Sequence, residues 1–222
     1  MNIKKIIQGN VSDIAVPIKH ILFDADGVLQ YAKRHWQPAL QSVLTLDDES
    51  QARAVVEDIL EAETEVLQSA TGFIERLEVK LANWGRSKFV LETLNVLHDI
   101  EIYVDIMQTV QAIRRSGIRC HIGSNQQSLR ARHMSTTLNY KLLFDSEHHS
   151  CFIGAAKPQA AFFEKVIARL GCDASAVLFL DDRLENVEAA KQAGINAIVF
   201  FGADGASSLE RSLADFGVFV AN

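Results

Sequence analysis

Two aspartates on alternate residues follow the first apolar run of the chain. Residues 20–27 read His-Ile-Leu-Phe-Asp-Ala-Asp-Gly, so that Asp24 and Asp26 come directly after the run. A β-strand projects residues i and i+2 to the same face, and we therefore expect both carboxylates to start on one side of the strand end. Carboxylates this close repel each other and lose hydration, unless a divalent cation lies nearby or one of them holds a proton. The pair predicts a functional site, and a metal site in particular.

A hydroxyl, an amide and a lysine follow at two later points of the chain. Ser124 and Asn125 come after the apolar residues Ile122-Gly123, and Lys157 precedes Pro158 in a stretch poor in other charges. Ser-Asn can donate hydrogen bonds to an anion beside a helix N-terminus, although the same pair is also an ordinary helix cap. A lysine can neutralise a phosphate as a point charge, or it can simply be solvated. Each of these two signals is ambiguous when taken alone.

A second acidic pair, Asp181 and Asp182, follows the fully apolar run 177–180. Adjacent carboxylates after such a run are costly unless they bind a cation or cap the next helix. Capping uses one carboxylate and leaves the other unexplained. Asn186 lies one helical turn further on and is expected to orient either of them.

The composition restricts the classes of function. The chain has 222 residues, of which 48% are hydrophobic, and a formal net charge of -6. The absence of a long basic run argues against nucleic acid as the main partner. No apolar stretch approaches the roughly 20 residues that span a bilayer, and Met1–Gln8 lacks a signal-peptide core. Cys120, Cys151 and Cys172 are widely spaced, as expected of free thiols in a reducing compartment. We therefore predict a cytoplasmic protein that binds neither membrane nor nucleic acid.

The elements that carry these residues alternate between strands and helices. Strands are predicted at His20–Asp24, Ile118–Gly123, Leu142–Phe144, Ala176–Leu180 and Ile195–Phe200. Helices are predicted at Val104–Arg115, Gln127–Leu138, Pro158–Leu170, Glu185–Ala193 and Ser207–Phe216. This alternation predicts an α/β fold with a parallel sheet covered by helices on both faces. In such folds the ligand lies beyond the carboxyl ends of the strands, where every polar cluster above falls.

A block of helices interrupts the alternation after the first strand. Residues 36–98 carry long helical patterns without a convincing strand, so residues 31–100 are predicted to be an inserted helical domain on a core of residues 1–30 and 101–222. The stretch Tyr31, Lys33, Arg34, His35 and Trp36 is expected to face the cleft between the two. There Arg34 or His35 would hold a second anionic group and Trp36 would stack on a sugar or base. The alternative is solvated charges and an aromatic that anchors the insert.

Taken in order, the four motifs resemble those of the haloacid dehalogenase-like superfamily. They are Asp-x-Asp-Gly-Val-Leu, a strand ending in Ser-Asn, Gly-x-x-Lys-Pro, and a strand followed by Asp-Asp-x-x-x-Asn. The resemblance covers essentially the whole chain and implies a Rossmann-like core with a helical cap inserted after the first motif. Members with Asp-x-Asp in the first motif are chiefly Mg²⁺-dependent phosphatases, with some phosphomutases. The dehalogenases proper lack the second aspartate, which this chain has as Asp26.

The resemblance implies a role for each motif residue. Asp24 would be the nucleophile that becomes an aspartyl phosphate. Asp26 would be the general acid for the leaving alcohol and then the base that activates water, while its backbone carbonyl ligates Mg²⁺. These roles describe a phosphomonoesterase acting on a small phosphorylated metabolite, with a sugar phosphate as the narrower expectation.

The remaining motif residues would bind the phosphoryl group and the metal. Ser124 and Lys157 would hold phosphoryl oxygens, with Asn125 assisting nearby. Asp182 would ligate Mg²⁺ directly, and Asp181 would act through water or orient a partner. A lysine and a hard divalent cation are what three carboxylates need before a phosphate dianion can approach them.

Two other functions are compatible with much of this pattern. A phosphomutase uses the same core and returns the phosphoryl group to the sugar. A phospho-acceptor signalling module also gathers acids, a hydroxyl and a lysine at strand ends, but there the acidic pair opens the chain and the acceptor lies on a later strand. The motif order and the helical insert favour the enzyme. One departure from the family pattern is Gly123, where a larger apolar residue is more common.

Overall fold

A five-stranded parallel sheet forms the centre of the protein. The computed structural model describes residues 16–220, so the N-terminal stretch Met1–Gln8 lies outside the described residues. The strands are β1 (His20–Phe23), β2 (Gln30–Ala32), β3 (Ile100–Ile102), β4 (Arg119–Ser124), β5 (Ser146–His149), β6 (Val177–Asp181) and β7 (Asn196–Val199). The central sheet has the order β5-β4-β1-β6-β7, and all its neighbouring pairs are parallel. The α/β fold class is confirmed.

The helices occupy most of the predicted positions. They are α1 (Trp36–Val43), α2 (Glu49–Thr64), α3 (Phe73–Asn83), α4 (Val90–Leu97), α5 (Val104–Arg115), α6 (Ser128–Thr136), α7 (Tyr140–Leu143), α8 (Ser150–Ile153), α9 (Ala160–Leu170), α10 (Leu184–Gln192) and α11 (Ala206–Ala214). Within residues 16–220, no helix combines the length and the apolarity needed to cross a membrane.

Both faces of the sheet are buried, and β1 shows why its residues 21–23 are all apolar. Ile21 and Phe23 point to one face and pack with residues of α5 and α11. Leu22, between them, points to the other face and packs with residues of α9 and α10. The period of two along the strand therefore feeds two separate hydrophobic clusters. β1 is thereby held at the centre of the sheet, with Asp24 at its carboxyl end.

The inserted helices α1 to α4 pack around a third hydrophobic cluster of their own, which includes Leu40, Ile59, Leu77 and Leu97. An antiparallel ribbon of β2 and β3 connects this group to the core. The helices lie where the sequence predicts a cap. The domain boundaries at 30/31 and 100/101 stay a prediction.

The strand predicted at Leu142–Phe144 is wrong. Residues 140–143 form α7, with Tyr140 fully buried and its ring 5.5 Å from the ring of Phe144. The strand is the polar segment β5, which occupies an edge of the sheet. A search for apolar runs overlooks β5, because its side chains are polar. Some of these side chains find local partners. Ser146, for example, hydrogen-bonds to His121 and His148.

Candidate active site

The predicted site residues converge at the carboxyl ends of three neighbouring strands. β1 lies between β4 and β6, so the residues that follow these strands meet at one edge of the sheet. A cavity of about 210 Å³ opens there, and its wall is polar throughout. It is lined by Asp24, Asp26, Ser124, Asn125, Lys157, Asp182, Arg183 and Asn186. Six of the seven predicted site residues line this cavity, and the seventh, Asp181, is fully buried next to it.

A buried lysine bridges two of the carboxylates. The amine of Lys157 lies 2.9 Å from Asp24 Oδ1 and 2.6 Å from Asp181 Oδ2, and its side chain is only 2% exposed. Burial lowers the pKa of Lys157, but the two carboxylates outweigh that effect and hold the pKa above its ordinary value. The amine therefore stays charged. These contacts use two of its three N–H donors and leave one for an incoming anion.

Asp181 accepts hydrogen bonds at both of its oxygens from the described residues around it. Oδ1 accepts from the backbone N–H of Arg183 and from the amide of Asn186, both at 2.9 Å. Oδ2 accepts from Lys157 and, at 3.1 Å, from the same Asn186 amide. Asn186 therefore orients an acidic side chain, as predicted from its place one turn into the helix. Asp182 is left to face the cavity.

Three carboxylates form a grouping suited to a metal ion. One oxygen from each of Asp24, Asp181 and Asp182 lies within 4.8 Å of the others. Burial, partly opposed by Lys157 and reinforced by Asp181, raises the pKa of Asp24 to about 7. Burial and Asp181 also raise the pKa of Asp182. These three carboxylates are hard oxygen donors, and burial opposes the ionisation of Asp24 and Asp182. A divalent cation such as Mg²⁺ at this position would favour their charged forms, so the grouping fits such an ion.

Gly27 makes room for Asp182. Its φ is +78°, a left-handed conformation that side chains rarely adopt, and a Cβ here would lie 2.3 Å from Asp182 Oδ2. The glycine of the first motif therefore does two things, since it turns the chain after Asp26 and lets the fourth motif approach the first.

Asp26 has a different environment from Asp24. Its two oxygens accept four hydrogen bonds: two from Arg130 at 2.5 and 2.7 Å, one from Gln30 at 3.0 Å and one from Gln126 at 2.7 Å. Burial acts to raise the pKa of Asp26, but the charge and hydrogen bonds of Arg130 outweigh it and bring the pKa to about 2. Asp26 is therefore held as an anion in this arrangement.

The partners of Asp26 were missed by sequence reasoning, and so was Arg183, which lines the cavity. Gln30 and Gln126 are neutral residues adjoining recognisable motifs, and Arg130 is one basic residue among many. One available signal was the i, i+4 spacing of Gln126 and Arg130, which puts them on the same side of a helix start. Nothing local connects either residue to Asp26.

Ser124 and Asn125 differ in what they can do. The hydroxyl of Ser124 accepts from Gln126 at 3.1 Å, so its own O–H can be donated to an anion in the cavity. The amide of Asn125 makes two 2.9 Å hydrogen bonds to the backbone of Lys157, donating to its C=O and accepting from its N–H. Asn125 thus positions Lys157. Neither residue caps α6, because Gln127 accepts from the backbone N–H groups of the first helical turn.

The basic residues after the first motif do not line this cavity. Lys33 pairs with Glu101 at 3.1 Å and Arg34 with Asp99 at 2.7 Å. Trp36 packs in the hydrophobic cluster of the inserted helices. The expectation that Arg34 or His35 holds a second anionic group therefore stays a prediction, with Arg34 already paired to Asp99, and the anchoring alternative describes Trp36.

Comparison with known proteins identifies the family. A family model described as haloacid dehalogenase-like hydrolase matches residues 18–194. The chain belongs to this hydrolase family. The matched residues include all four motifs, so the resemblance found in the sequence is confirmed.

The family's curated relatives include named phosphatases. Flavin mononucleotide hydrolase 1 of Arabidopsis thaliana is 36% identical over 72 residues, covering 32% of this chain and 28% of that protein. Enolase-phosphatase E1 of Salmo salar is 28% identical over 172 residues, covering 73% and 59% respectively. Phosphatase MT3486 of Mycobacterium tuberculosis is 26% identical over 201 residues, covering 81% and 86%. The chain therefore spans less than two thirds of the first two relatives.

Solved structures of the family share the fold. A predicted hydrolase from Porphyromonas gingivalis has a TM-score of 0.70 at 20% identity, covering 88% of this chain and 98% of its own. A family enzyme from Bacteroides thetaiotaomicron, in complex with magnesium and inorganic phosphate, has a TM-score of 0.68 at 18% identity, with coverages of 86% and 98%. The L-2-haloacid dehalogenase of Xanthobacter autotrophicus has a TM-score of 0.61 at 18% identity, with coverages of 92% and 84%.

Proposed function

We propose that this protein is a Mg²⁺-dependent phosphomonoesterase that forms an aspartyl phosphate on Asp24. One observation carries the proposal: the charged amine of Lys157 lies 2.9 Å from Asp24, in a small polar cavity that also receives Ser124 and Asp182. A nucleophilic carboxylate, a cationic phosphate ligand and a metal-ligating carboxylate thus share one space. The relatives named as phosphatases support the same reaction class.

The electrostatics of the cavity account for the need for a metal. Four carboxylates surround the site and two buried cations, Lys157 and Arg130, oppose them. This balance is negative before a phosphate dianion enters, so a divalent cation is required for binding. Asp24, Asp182 and the carbonyl of Asp26 would hold it. When bound, Mg²⁺ supplies charge neutralisation for the phosphoryl oxygens and for Asp24.

The protein's own residues divide the reaction into two steps. In the first, an oxygen of Asp24 attacks phosphorus, the bond from phosphorus to the leaving oxygen breaks, and that oxygen takes the proton of Asp26, which must enter this step in its protonated form. Lys157 and Ser124 hold the equatorial oxygens in line. In the second step, Asp26 accepts a proton from water as the water attacks phosphorus, which frees Asp24 and inorganic phosphate. The anionic state of Asp26 suits this second step directly.

The size and polarity of the cavity favour a small substrate. A volume of about 210 Å³ holds a phosphoryl group, a metal ion and little more, and all of its lining residues are polar or charged. We infer that a small phosphorylated metabolite is the substrate, with sugar phosphates as the first class to test. A cytoplasmic location is part of this proposal, and three free cysteines support it.

A phosphatase assay tests the proposed function. We expect hydrolysis of p-nitrophenyl phosphate, and then of members of a sugar-phosphate panel, with Mg²⁺ but not with a chelator. Asp24→Asn should lose at least about 10³-fold in kcat, because nucleophile and base act as a unit. Asp173→Asn, an exposed aspartate of the core, is the matched control and should keep full activity.

Release of inorganic phosphate from a sugar 1-phosphate distinguishes hydrolysis from mutase chemistry, which yields the 6-phosphate. Undiminished hydrolysis by purified Asp24→Asn protein would contradict the proposal.

A further inference from the structure

Arg130 is a buried cation that stands behind the cavity wall. It belongs to α6, is 2% exposed and lies outside the set of residues that line the cavity. A guanidinium buried this deeply needs full compensation by charge and hydrogen bonds. The groups that hydrogen-bond to Arg130 are therefore the ones whose charge and orientation it influences.

The contacts of Arg130 join three parts of the molecule. Nη1 and Nη2 each donate to one oxygen of Asp26, at 2.5 and 2.7 Å, and Nη1 also donates to Gln126 Oε1 at 2.7 Å. Nε donates to the backbone carbonyl of Leu97 at 3.0 Å. Leu97 is the last residue of α4, whose terminal carbonyls lack helical partners. The guanidinium also lies 5.5 Å from the ring of Trp36, at the start of the inserted helices.

The bidentate contact fixes the direction of the Asp26 carboxylate. A guanidinium binds both carboxylate oxygens in one plane, which a lysine cannot do. Two amides support the same orientation: Gln126 donates to Oδ2, and Gln30 donates to Oδ1 while accepting from the hydroxyl of buried Tyr140. The carboxylate is thus fixed by four donors while its side chain stays 42% exposed and lines the cavity.

We propose that Arg130 is a positioning residue, which aims the carboxylate of Asp26 at the leaving oxygen of the substrate and ties that aim to the C-terminal end of α4 and thus to the inserted helices. The proposal rests on the proposed phosphomonoesterase function. Arg130 touches neither substrate nor metal, and it acts only through Asp26. Its loss should therefore impair proton transfer to the leaving group and spare phosphate binding.

The test compares leaving groups. The ratio kcat/KM covers the steps up to departure of the leaving group, and p-nitrophenolate leaves without a proton whereas an alkoxide needs one. For Arg130→Gln we expect kcat/KM for glycerol phosphate to fall about 10- to 100-fold and that for p-nitrophenyl phosphate by less than about threefold. Arg130→Lys should show an intermediate loss. Arg132→Gln, on the same helix and exposed, is the matched control and should leave both values unchanged.

A double variant separates positioning from a merely structural role. Asp26→Asn should show the same leaving-group pattern, and Arg130→Gln should add nothing to it in the combined variant. Equal losses on both substrates, additive losses, or faster hydrolysis of glycerol phosphate by Arg130→Gln would each overturn the proposal. If Arg130→Gln does not fold, the same comparison is made with Arg130→Lys.

Urea unfolding gives a readout that does not depend on activity. The shifts in midpoint caused by Arg130→Lys and Asp26→Asn should be less than additive when combined, because both remove the same pair. Additive shifts would contradict the pairing itself. A wild-type protein that hydrolyses neither substrate would overturn the proposed function and with it the positioning role, whereas less than additive shifts would still support the pairing.

Discussion

The two aspartates of the first motif acquire different properties from their partners. Asp24 is buried next to Asp181, and these surroundings raise its pKa to about 7 in spite of Lys157. Asp26, two residues away, receives four hydrogen bonds, and Arg130 brings its pKa to about 2. One residue type at a spacing of two thus yields a carboxyl that needs a cation to ionise and a carboxylate that stays ionised. The anionic state of Asp26 suits its proposed role as the base of the second step, whereas its role as the acid of the first step requires it to bind a proton.

A further acid, Glu63, belongs to the same electrostatic neighbourhood, although it comes from the inserted helices. Burial raises the pKa of Glu63 to about 7, with Arg130 opposing and Asp26 reinforcing the effect. An acid whose pKa is higher in the folded state binds more protons when folded. The free energy of unfolding therefore falls as the pH rises from about 4.5 through 7, and the cost is complete above that range.

Replacement of Glu63 tests this at the residue scale. Glu63→Gln should raise the free energy of unfolding at pH 8 by about 1–3 kcal/mol and change it little at pH 4.5, since the glutamine resembles the protonated acid. Urea unfolding of metal-free protein at the two pH values measures the difference. Glu57→Gln, at an exposed position of the same helix, should show no such pH dependence. An equal gain at both pH values would mean that ionisation of Glu63 is not the cause.

At the scale of elements, the packing between β1 and β4 explains why this chain has Gly123 where a larger apolar residue is more common in the family. A Cβ at Gly123 would lie 2.8–2.9 Å from three side-chain carbons of Leu22, which is fully buried on the neighbouring strand. The glycine is therefore a steric complement to Leu22. It allows β4 to lie against β1 and to bring Ser124 to the cavity.

Gly123→Ala should consequently destabilise the sheet. Overpacking of a tight core costs about 1–3 kcal/mol, because side chains leave their preferred rotamers. The expected loss is measured by urea unfolding at a fixed pH. In a Leu22→Ala background the same substitution should cost much less, since the clashing carbons are gone. A cost that is unchanged in that background would show that the contact with Leu22 is not its cause.

At the scale of the whole molecule, the fold concentrates negative charge at one edge of the sheet. The chain has a net charge of -6, and four of its carboxylates meet around a single cavity next to two buried cations. Such a concentration opposes folding unless a ligand compensates it. Metal binding and stability are therefore expected to be linked.

Added Mg²⁺ should raise the Tm of the protein. At about 100 times the Kd the gain corresponds to roughly 2.7 kcal/mol, or about 5–10 °C for a chain of this size. Thermal unfolding with and without Mg²⁺, at ionic strength matched with NaCl, measures this shift. Asp182→Asn should abolish most of it. The same shift in wild type and variant would exclude Asp182 as a ligand.

Much of the fold followed from local patterns. The apolar runs of β1, β4 and β6 and the helical periods of α5, α9, α10 and α11 are visible in short windows of sequence, because strand and helix geometry repeat over two and 3.6 residues. Polar residues directly after such strands must lie at one edge of a parallel sheet. That rule alone places Asp24, Ser124 and Asp182 near one another. The polar strand β5 escaped this pattern, because its side chains are polar and form no apolar run.

The sequence by itself thus determined the fold class, the family and the residues that surround the cavity. Only the tertiary structure decided how those residues are paired. Asp26 meets Arg130 across 104 positions of the chain, and Asn125 meets the backbone of Lys157 across 32. These pairings depend on how α6 packs against the loop after β1 and on where α4 ends. Local propensity does not specify such contacts, because they form only when separate elements pack together and exclude water from the charges between them.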